Sequence, residues 1–537
     1  MGVGSPSTSM RLYILLILVP QSLGALFPPG NETAHSAAVQ ACQQLAHTLG
    51  PSLVQSSGAE YEVTSTNAWN LLNSEFQPTC IVFPQKSQHV QTAMKVIYDA
   101  GSHYAVQAGS HSAMKGWNTV QDGVLIIFSQ MKNASYDSVS DTITLEPGIH
   151  WQEAVAVLEP FGVAPVGGRV GDIGTGLLLG GGLSWLSPSQ GYAADTFKEL
   201  DVVLVAGEMV TVTATNEYSD LFRALKGGGN RFGIVTRYEV SAVHTGTNND
   251  KIFFGGTITV RLSSESCVEI ILVAWQYNSS SAEALLKATA KYVREVNDPK
   301  AVSVAIFTES MVDGQVFSLY GALLFYTGPE LPTAIFGDFL AIPAVSSQLG
   351  PLSYLEVAET LGLGNDRGYV QHFGASALIG DEPLFFNAFN HWSNFSATFA
   401  DSFNDTTLAF TPIPDSQIQA GRARGGNIIG APHGQFAAVQ FSQQLRAGLQ
   451  ELPPVLQDGV DLLFEQQVPL SCADDQKLNR LLFRVPPSPG LPLYINECDA
   501  GQKVFESYGD FELLKTIYAK YDPTGFNVAH TQGPIGL

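Results

Sequence analysis

One histidine, His111, stands in a Gly/Ser-rich turn, Val106-Gln-Ala-Gly-Ser-His-Ser-Ala-Met-Lys-Gly-Trp117, directly after an apolar, strand-like run. Some sixty residues later comes a second glycine segment, Gly171-Asp-Ile-Gly-Thr-Gly-Leu-Leu-Leu-Gly-Gly-Gly182. Glycines let backbone approach a bulky ligand and turn its N–H groups toward phosphate oxygens. Two such segments around one reactive imidazole point to a large phosphorylated cofactor gripped by backbone. Glycine clusters also mark plain turns, so the residues alone leave a purely structural reading open. Other chemistries lack their motifs. The glycine runs contain neither a strict G-x-G-x-x-G nor a G-x-x-x-x-G-K-[ST], which disfavours a Rossmann dinucleotide site and a Walker loop. H-E-x-x-H and G-x-S-x-G are absent too, and the eleven histidines show no ligand spacing, so no metal site is expected.

Composition narrows the partners. The chain has 537 residues, 45% hydrophobic and 14% charged, which fits a globular protein of two or three domains rather than a disordered one. A net charge of −22 argues against nucleic acid, whose binding needs a basic stripe. Arg11 precedes the apolar run Leu12-Tyr-Ile-Leu-Leu-Ile-Leu-Val19, and Ser22, Gly24 and Ala25 offer a cleavage site, so residues 1–25 read as a secretory signal. The run is short for a membrane span, and no association with a membrane is expected. Five N-x-[ST] sequons, at Asn31, Asn133, Asn278, Asn394 and Asn404, agree with a secreted glycoprotein. Of five cysteines, Cys42 and Cys80 are the first choice for a bridge, and Cys267, Cys472 and Cys498 read as small buried residues.

The elements that must hold the two glycine segments are legible from periodicity. Helices are expected at 35–50 and 87–100, the latter from Val90, Ala93, Met94, Val96 and Ile97 at helical spacing, and another at 151–158. Strands at 80–84, 104–107, 123–128 and 142–146 alternate with them, a mixed α/β pattern. Strands at 201–205 and 209–212 flank Ala206-Gly-Glu208 as a hairpin. A change of character near 244–250 suggests a boundary. Beyond it, strands at 301–307 and 316–325 alternate with a helix at 282–296, and a last helix is expected at 511–520.

In register, the blocks resemble those of berberine-bridge-enzyme-like flavoproteins, within the vanillyl-alcohol-oxidase/p-cresol-methylhydroxylase (PCMH) type of FAD-binding fold. Gln107-Ala-Gly-Ser-His111 is similar to that family's R-S-G-G-H turn. Ile173-Gly-Thr-Gly176 through Gly182 resembles V-G-V-G-G-x-x-x-G-G-G, and Gly191-Tyr-Ala-Ala-Asp195 its continuation. Ala224-Leu-Lys-Gly-Gly-Gly-Asn-Arg-Phe-Gly-Ile-Val-Thr236 matches A-L-[KR]-G-G-G-x-N-F-G-I-V-T closely. Tyr494-Ile-Asn496 and Lys520-Tyr-Asp-Pro523 match the C-terminal Y-x-N and K-x-x-x-D-P pattern.

The resemblance implies an α+β protein with a two-part FAD-binding domain: residues 35–250, completed by a returning segment at 485–537. A separate α/β substrate domain would occupy 251–480. Cofactor binding would fall to Gly109, Ser110, His111, Ser112, Gly171, Ile173, Gly174, Gly176, Gly181, Gly233, Ile234, Val235, Tyr494 and Asn496. His111 would bond covalently to the flavin 8α-methyl. Many relatives add a second bond from a cysteine where this chain has Val170, so one link is expected, not two. Gln107 and Ser110 depart from the usual Arg and Gly. Where plant relatives have Y-x-N-Y, this chain has Tyr494-Ile-Asn-Glu497, which makes Glu497 the candidate base for a substrate hydroxyl; a solvated surface role is the bland alternative. His391 and Trp392 are weaker pocket candidates. The implied activity is hydride transfer from a hydroxylated small molecule (a sugar, alcohol or secondary metabolite) to flavin N5, with O2 reoxidising the flavin to give H2O2. A dehydrogenase with another acceptor, or a non-catalytic FAD-containing binding glycoprotein, is the alternative. Oligomeric state is not legible.

Overall fold

Unbroken apolar runs near the N-terminus belong to parallel strands covered on both faces. The computed structural model describes residues 32–265, 271–312, 315–446, 448 and 485–537. The signal segment, Asn31, Cys267 and Cys472 lie outside the described residues. In the first sheet, β1 (Val54–Gln55), β2 (Cys80–Val82), β3 (Tyr104–Gln107) and β4 (Val124–Ile127) run in the order β1-β2-β4-β3. β4 is parallel to both β2 and β3, and all four of its residues are buried. The helix Glu32–Leu49 and the helix Ser87–Ala100 pack on this sheet through Ala41, Leu45, Val90, Met94 and Ile97. Cys42 and Cys80 form a disulfide that ties the first helix to β2. It closes a 38-residue separation, so replacing either cysteine by serine should lower unfolding stability by about 4 kcal/mol on a chain-entropy estimate. Denaturant unfolding of the variant reads that loss directly.

The second sheet is antiparallel, in the order β5-β6-β10-β8-β9, from β5 (Ala134–Asp137), β6 (Thr142–Leu145), β8 (Phe197–Val203), β9 (Met209–Thr213) and β10 (Ile234–Ser241). β8 and β9 form the expected hairpin. β7 (Val163–Ala164) pairs with β11 (Val243–His244) beside it. The His111 turn hangs between β3 and β4, and the second glycine segment lies between β7 and β8.

The third sheet has seven strands: β12 (Phe253–Glu265), β13 (Ala301–Val312), β14 (Gln315–Thr327), β15 (Ser346–Leu352), β16 (Gln371–Leu378), β17 (Phe403–Ile413) and β18 (Phe436–Leu445). Their order is β15-β12-β14-β13-β17-β18-β16, and every pairing is antiparallel. Successive side chains face opposite ways, so the sheet serves two cores. Val304, Leu323, Phe325 and Ala438 join the core shared with the second sheet and the C-terminal segment. Ala305, Phe307, Leu324 and Val439 pack under the helices Ile271–Glu295 and Glu382–Thr398. The sequence expectation of helices alternating with strands here is met by helices gathered on one face of an antiparallel sheet.

Residues 485–537 return to the first two sheets. Leu493, Tyr494 and Ile495 enter the same core as Leu178 and Ala193. Further on, Arg231 donates to the carbonyls of Asn527, Thr531 and Pro534, which fastens the end of the chain to the Gly229–Arg231 turn. No helix among the described residues is long and apolar enough to cross a membrane.

Candidate cofactor and active site

The two glycine segments meet back to back. A Cβ on Gly109 would lie 2.5 Å from the Gly174 nitrogen, and one on Gly174 would lie 2.5 Å from that of Gly109. Only two glycines permit that approach. Next to them Ser110 adopts φ 59°, a left-handed conformation that glycine takes at less cost. Serine is held there because its hydroxyl donates to the Asn67 carbonyl at 3.0 Å. Gln107, in place of the family's arginine, is buried and donates to the Asn118 carbonyl across the turn. The amides of Gly109, Ser110 and Ser112 have no protein acceptor among the described residues.

These residues open on a cavity of about 480 Å³ between the first two sheets, the C-terminal segment and the seven-stranded sheet. Gly109, Ser110, His111, Ser112, Ile173, Gly174, Gly176, Gly233, Ile234, Val235, Tyr494, Asn496 and Glu497 all line it. Two expected contacts are not among its walls. Gly171 donates instead to the Gly362 carbonyl, and Gly181 packs against Ile429 and Tyr192. His391 and Trp392 are also elsewhere, on the buried side of the helix Glu382–Thr398, which packs on the far face of the seven-stranded sheet. A second cavity, of about 590 Å³, lies on that far face, lined by residues such as Arg261, Tyr320 and Phe389, and none of the glycine blocks reaches it.

The cavity fits FAD. Its close-packed glycine backbone leaves free amides suited to phosphate oxygens. Among its lining residues both polar atoms of the Asn118 side chain are buried without a partner, as is Asn230 Oδ1. Orphaned polar groups of this kind are expensive unless a ligand satisfies them. Asn496 donates to the Leu177 carbonyl and to the Tyr494 oxygen, and Tyr494 accepts from the Leu183 amide, so the Y-x-N block braces the second glycine segment.

His111 is held by residues distant in sequence. Its ring stacks on Trp69, with centroids 4.1 Å apart and planes 16° from parallel. Asn70 anchors that neighbour by donating to the carbonyls of Ala113 and Gln371. A loop leading into β16 reaches over the imidazole, and the Gly364 carbonyl accepts from His111 Nε2 at 2.8 Å. A carbonyl can only accept, so Nε2 carries the proton and Nδ1 is the bare nitrogen. Burial pushes the imidazole below the usual histidine pKa, against the opposing pull of Gly364 and Asp172, so the ring is neutral. The loop is pinned further by Arg367, which pairs with Asp172 at 2.9 Å.

Glu497 is buried and paired. Arg169 Nη2 donates to Glu497 Oε1 at 3.3 Å, while Nη1 donates to Thr411 Oγ1 on β17 at 2.9 Å. Burial raises the Glu497 pKa above the ordinary carboxylate value, and Arg169 opposes that rise. The seven-stranded sheet roofs the cavity with Val304, Ile306, Phe373, Ala409, Gln440 and Ser442. Sequence reasoning missed Trp69, Asn118, Arg169, Gly364 and this roof. Arg169 alone carried a signal, as the residue adjoining the family's second attachment position.

Comparison with known proteins agrees with this geometry. A family model described as FAD binding domain matches residues 78–213. The chain is 30% identical over 388 residues to an uncharacterized FAD-linked oxidoreductase of Arthroderma benhamiae, covering 70% of this chain and 71% of that protein. It is 28% identical over 460 residues to a FAD-dependent monooxygenase of Arthrobotrys oligospora, covering 83% and 80% respectively. Among solved structures, the glucooligosaccharide oxidase of Acremonium strictum, with a 6-S-cysteinyl, 8α-N1-histidyl FAD, aligns with a TM-score of 0.69 at 18% identity, over 93% of this chain and 100% of that one. The chain belongs to the FAD-linked oxidoreductases, and its fold is the PCMH type with berberine-bridge-enzyme-like relatives.

Proposed function

We propose that this enzyme is a secreted oxidase that takes a hydride from a hydroxylated small molecule, with FAD attached through His111 alone and Glu497 as the base. The observation that carries the reading is the state of His111: burial lowers its pKa and Gly364 holds the proton on Nε2, which leaves Nδ1 as the nitrogen with the lone pair. Val170 lines the same cavity and has no thiol, which supports one bond rather than two. The chemistry that FAD would supply when held there is a two-electron acceptor for the hydride leaving the carbinol carbon, with O2 as the final acceptor and H2O2 as its product. Glu497 would take the hydroxyl proton as the carbon becomes a carbonyl, so the substrate loses two electrons and two protons in all. The Ser110, Gly109 and Ser112 amides would hold the pyrophosphate, and the roof from β13, β16, β17 and β18 would exclude water. On this reading residues 251–480 form the substrate part, and 35–250 with 485–537 the FAD part.

The buried disulfide supports an oxidising compartment, and Asn133 and Asn394 are exposed as glycan acceptors require. Asn404 is half-buried, with its amide donating to Gln444.

Relatives named monooxygenases favour a second reading, in which one oxygen atom enters the product. Turnover under isotopically labelled O2 separates the two. The oxidase reading expects one H2O2 per substrate oxidised and no label in the organic product. Label in the product with no peroxide would overturn it, and reduction that only an artificial dye can reoxidise would assign a dehydrogenase.

A further inference from the structure

Arg169 stands at the junction of three chain segments that meet only in the folded protein. Its guanidinium bonds Glu497 with one nitrogen and Thr411 with the other, and lies 5.7 Å from the centre of the Trp185 ring. Side-chain exposure is 13% for Arg169 and 12% for Glu497, so water competes little for the pair. We propose that Arg169 is the positioning residue of the active site: it holds the Glu497 carboxylate in its charged, proton-accepting form and fixes its direction against the substrate-facing sheet. This rests on Glu497 being the base.

The physical need is plain. A lone carboxylate in an apolar cavity keeps its proton and cannot act as a base, whereas an adjacent cation favours the charged form. The other groups near Glu497 do not supply that charge. The Tyr494 hydroxyl and the Cys498 thiol are buried and pushed up in pKa, so both stay neutral. His111 lines the same cavity as a neutral ring, and Asp499, next in the chain after Cys498, carries the wrong sign. Besides His111, Arg169 is the one basic side chain lining the cavity among the described residues. Its second bond, to Thr411, gives the guanidinium a fixed plane, which a single contact would not.

Two measurements on the FAD-loaded enzyme test this. Anaerobic flavin reduction is followed against pH in wild type, Arg169→Gln and Arg169→Lys. Infrared difference spectra of the resting enzyme, wild type minus Glu497→Gln, report the protonated Glu497 carboxyl over the same range. In Arg169→Gln, the acid limb of the rate and the carboxyl band should both move alkaline by about 1–3 pH units. Arg169→Lys should reverse most of that shift. A fall in rate at every pH with the limb and band unmoved would show a merely structural role. A rise in KM alone would instead assign Arg169 to substrate binding, and either result overturns the proposal. Should Arg169→Gln fail to fold, wild type still decides: a protonated Glu497 band at pH 7 sinks the idea. Normal reduction in Glu497→Gln would refute the base itself, a different failure from an unshifted Arg169→Gln in an enzyme that needs Glu497.

Discussion

His111→Ala should give an enzyme whose flavin is lost completely to the supernatant on acid precipitation, while the wild-type pellet stays yellow. The expectation follows from the tautomer. Gly364 fixes the proton on Nε2, Trp69 fixes the ring plane, and Nδ1 is the only ring nitrogen left to form a bond. A truncated side chain removes that atom, and no thiol at position 170 can substitute. The variant should still fold, since loss of the stack and of one hydrogen bond costs about 1–3 kcal/mol. It should also still bind FAD non-covalently, because the Gly109–Gly174 cradle and the unpaired Asn118 amide are untouched. Yellow colour persisting in the variant's acid pellet would place the attachment elsewhere.

Glu497→Gln carries the second large effect. The amide keeps the size of the side chain and can still accept from Arg169, but it cannot take a proton. Anaerobic flavin reduction should slow by about 10²–10⁴-fold, the range for a lost general base, with FAD content unchanged. In barrier terms that is about 2.7–5.5 kcal/mol. The pH dependence has a definite sign. Burial raises the Glu497 pKa, Arg169 lowers it again, and the base works only when ionised. Wild-type reduction should therefore rise with pH through the Glu497 titration and level off above it, and that acid limb should vanish in Glu497→Gln. A variant that reduces its flavin at the wild-type rate would move the base to another residue.

Much of the fold was legible because parallel, fully buried strands and amphipathic helices write their periods into short stretches of chain. The helix Ser87–Ala100 and the helix Trp151–Leu158 fall where the apolar spacing puts them. The two-residue strands Val54–Gln55 and Val163–Ala164 are too short to show any period. The antiparallel character of the seven-stranded sheet was hidden as well, since an apolar run does not reveal the direction of its partner. At the site, Gly171 and Gly181 read as cofactor contacts because they sit in the glycine block. The structure gives one to the loop leading into β16 and the other to core packing.

The sequence by itself determined the family and the cofactor. Glycine spacing, the histidine within its turn and the Y-x-N block are local features, since backbone freedom and side-chain identity belong to each residue in place. Only the tertiary structure decided what surrounds them. Gly364 reaches His111 across 253 positions, and Arg169 reaches Glu497 across 328. Such pairs depend on how the seven-stranded sheet and the returning C-terminal segment close over the glycine segments. The proton position on His111 and the pairing of Glu497 with Arg169 are set by those contacts rather than by neighbours in the chain.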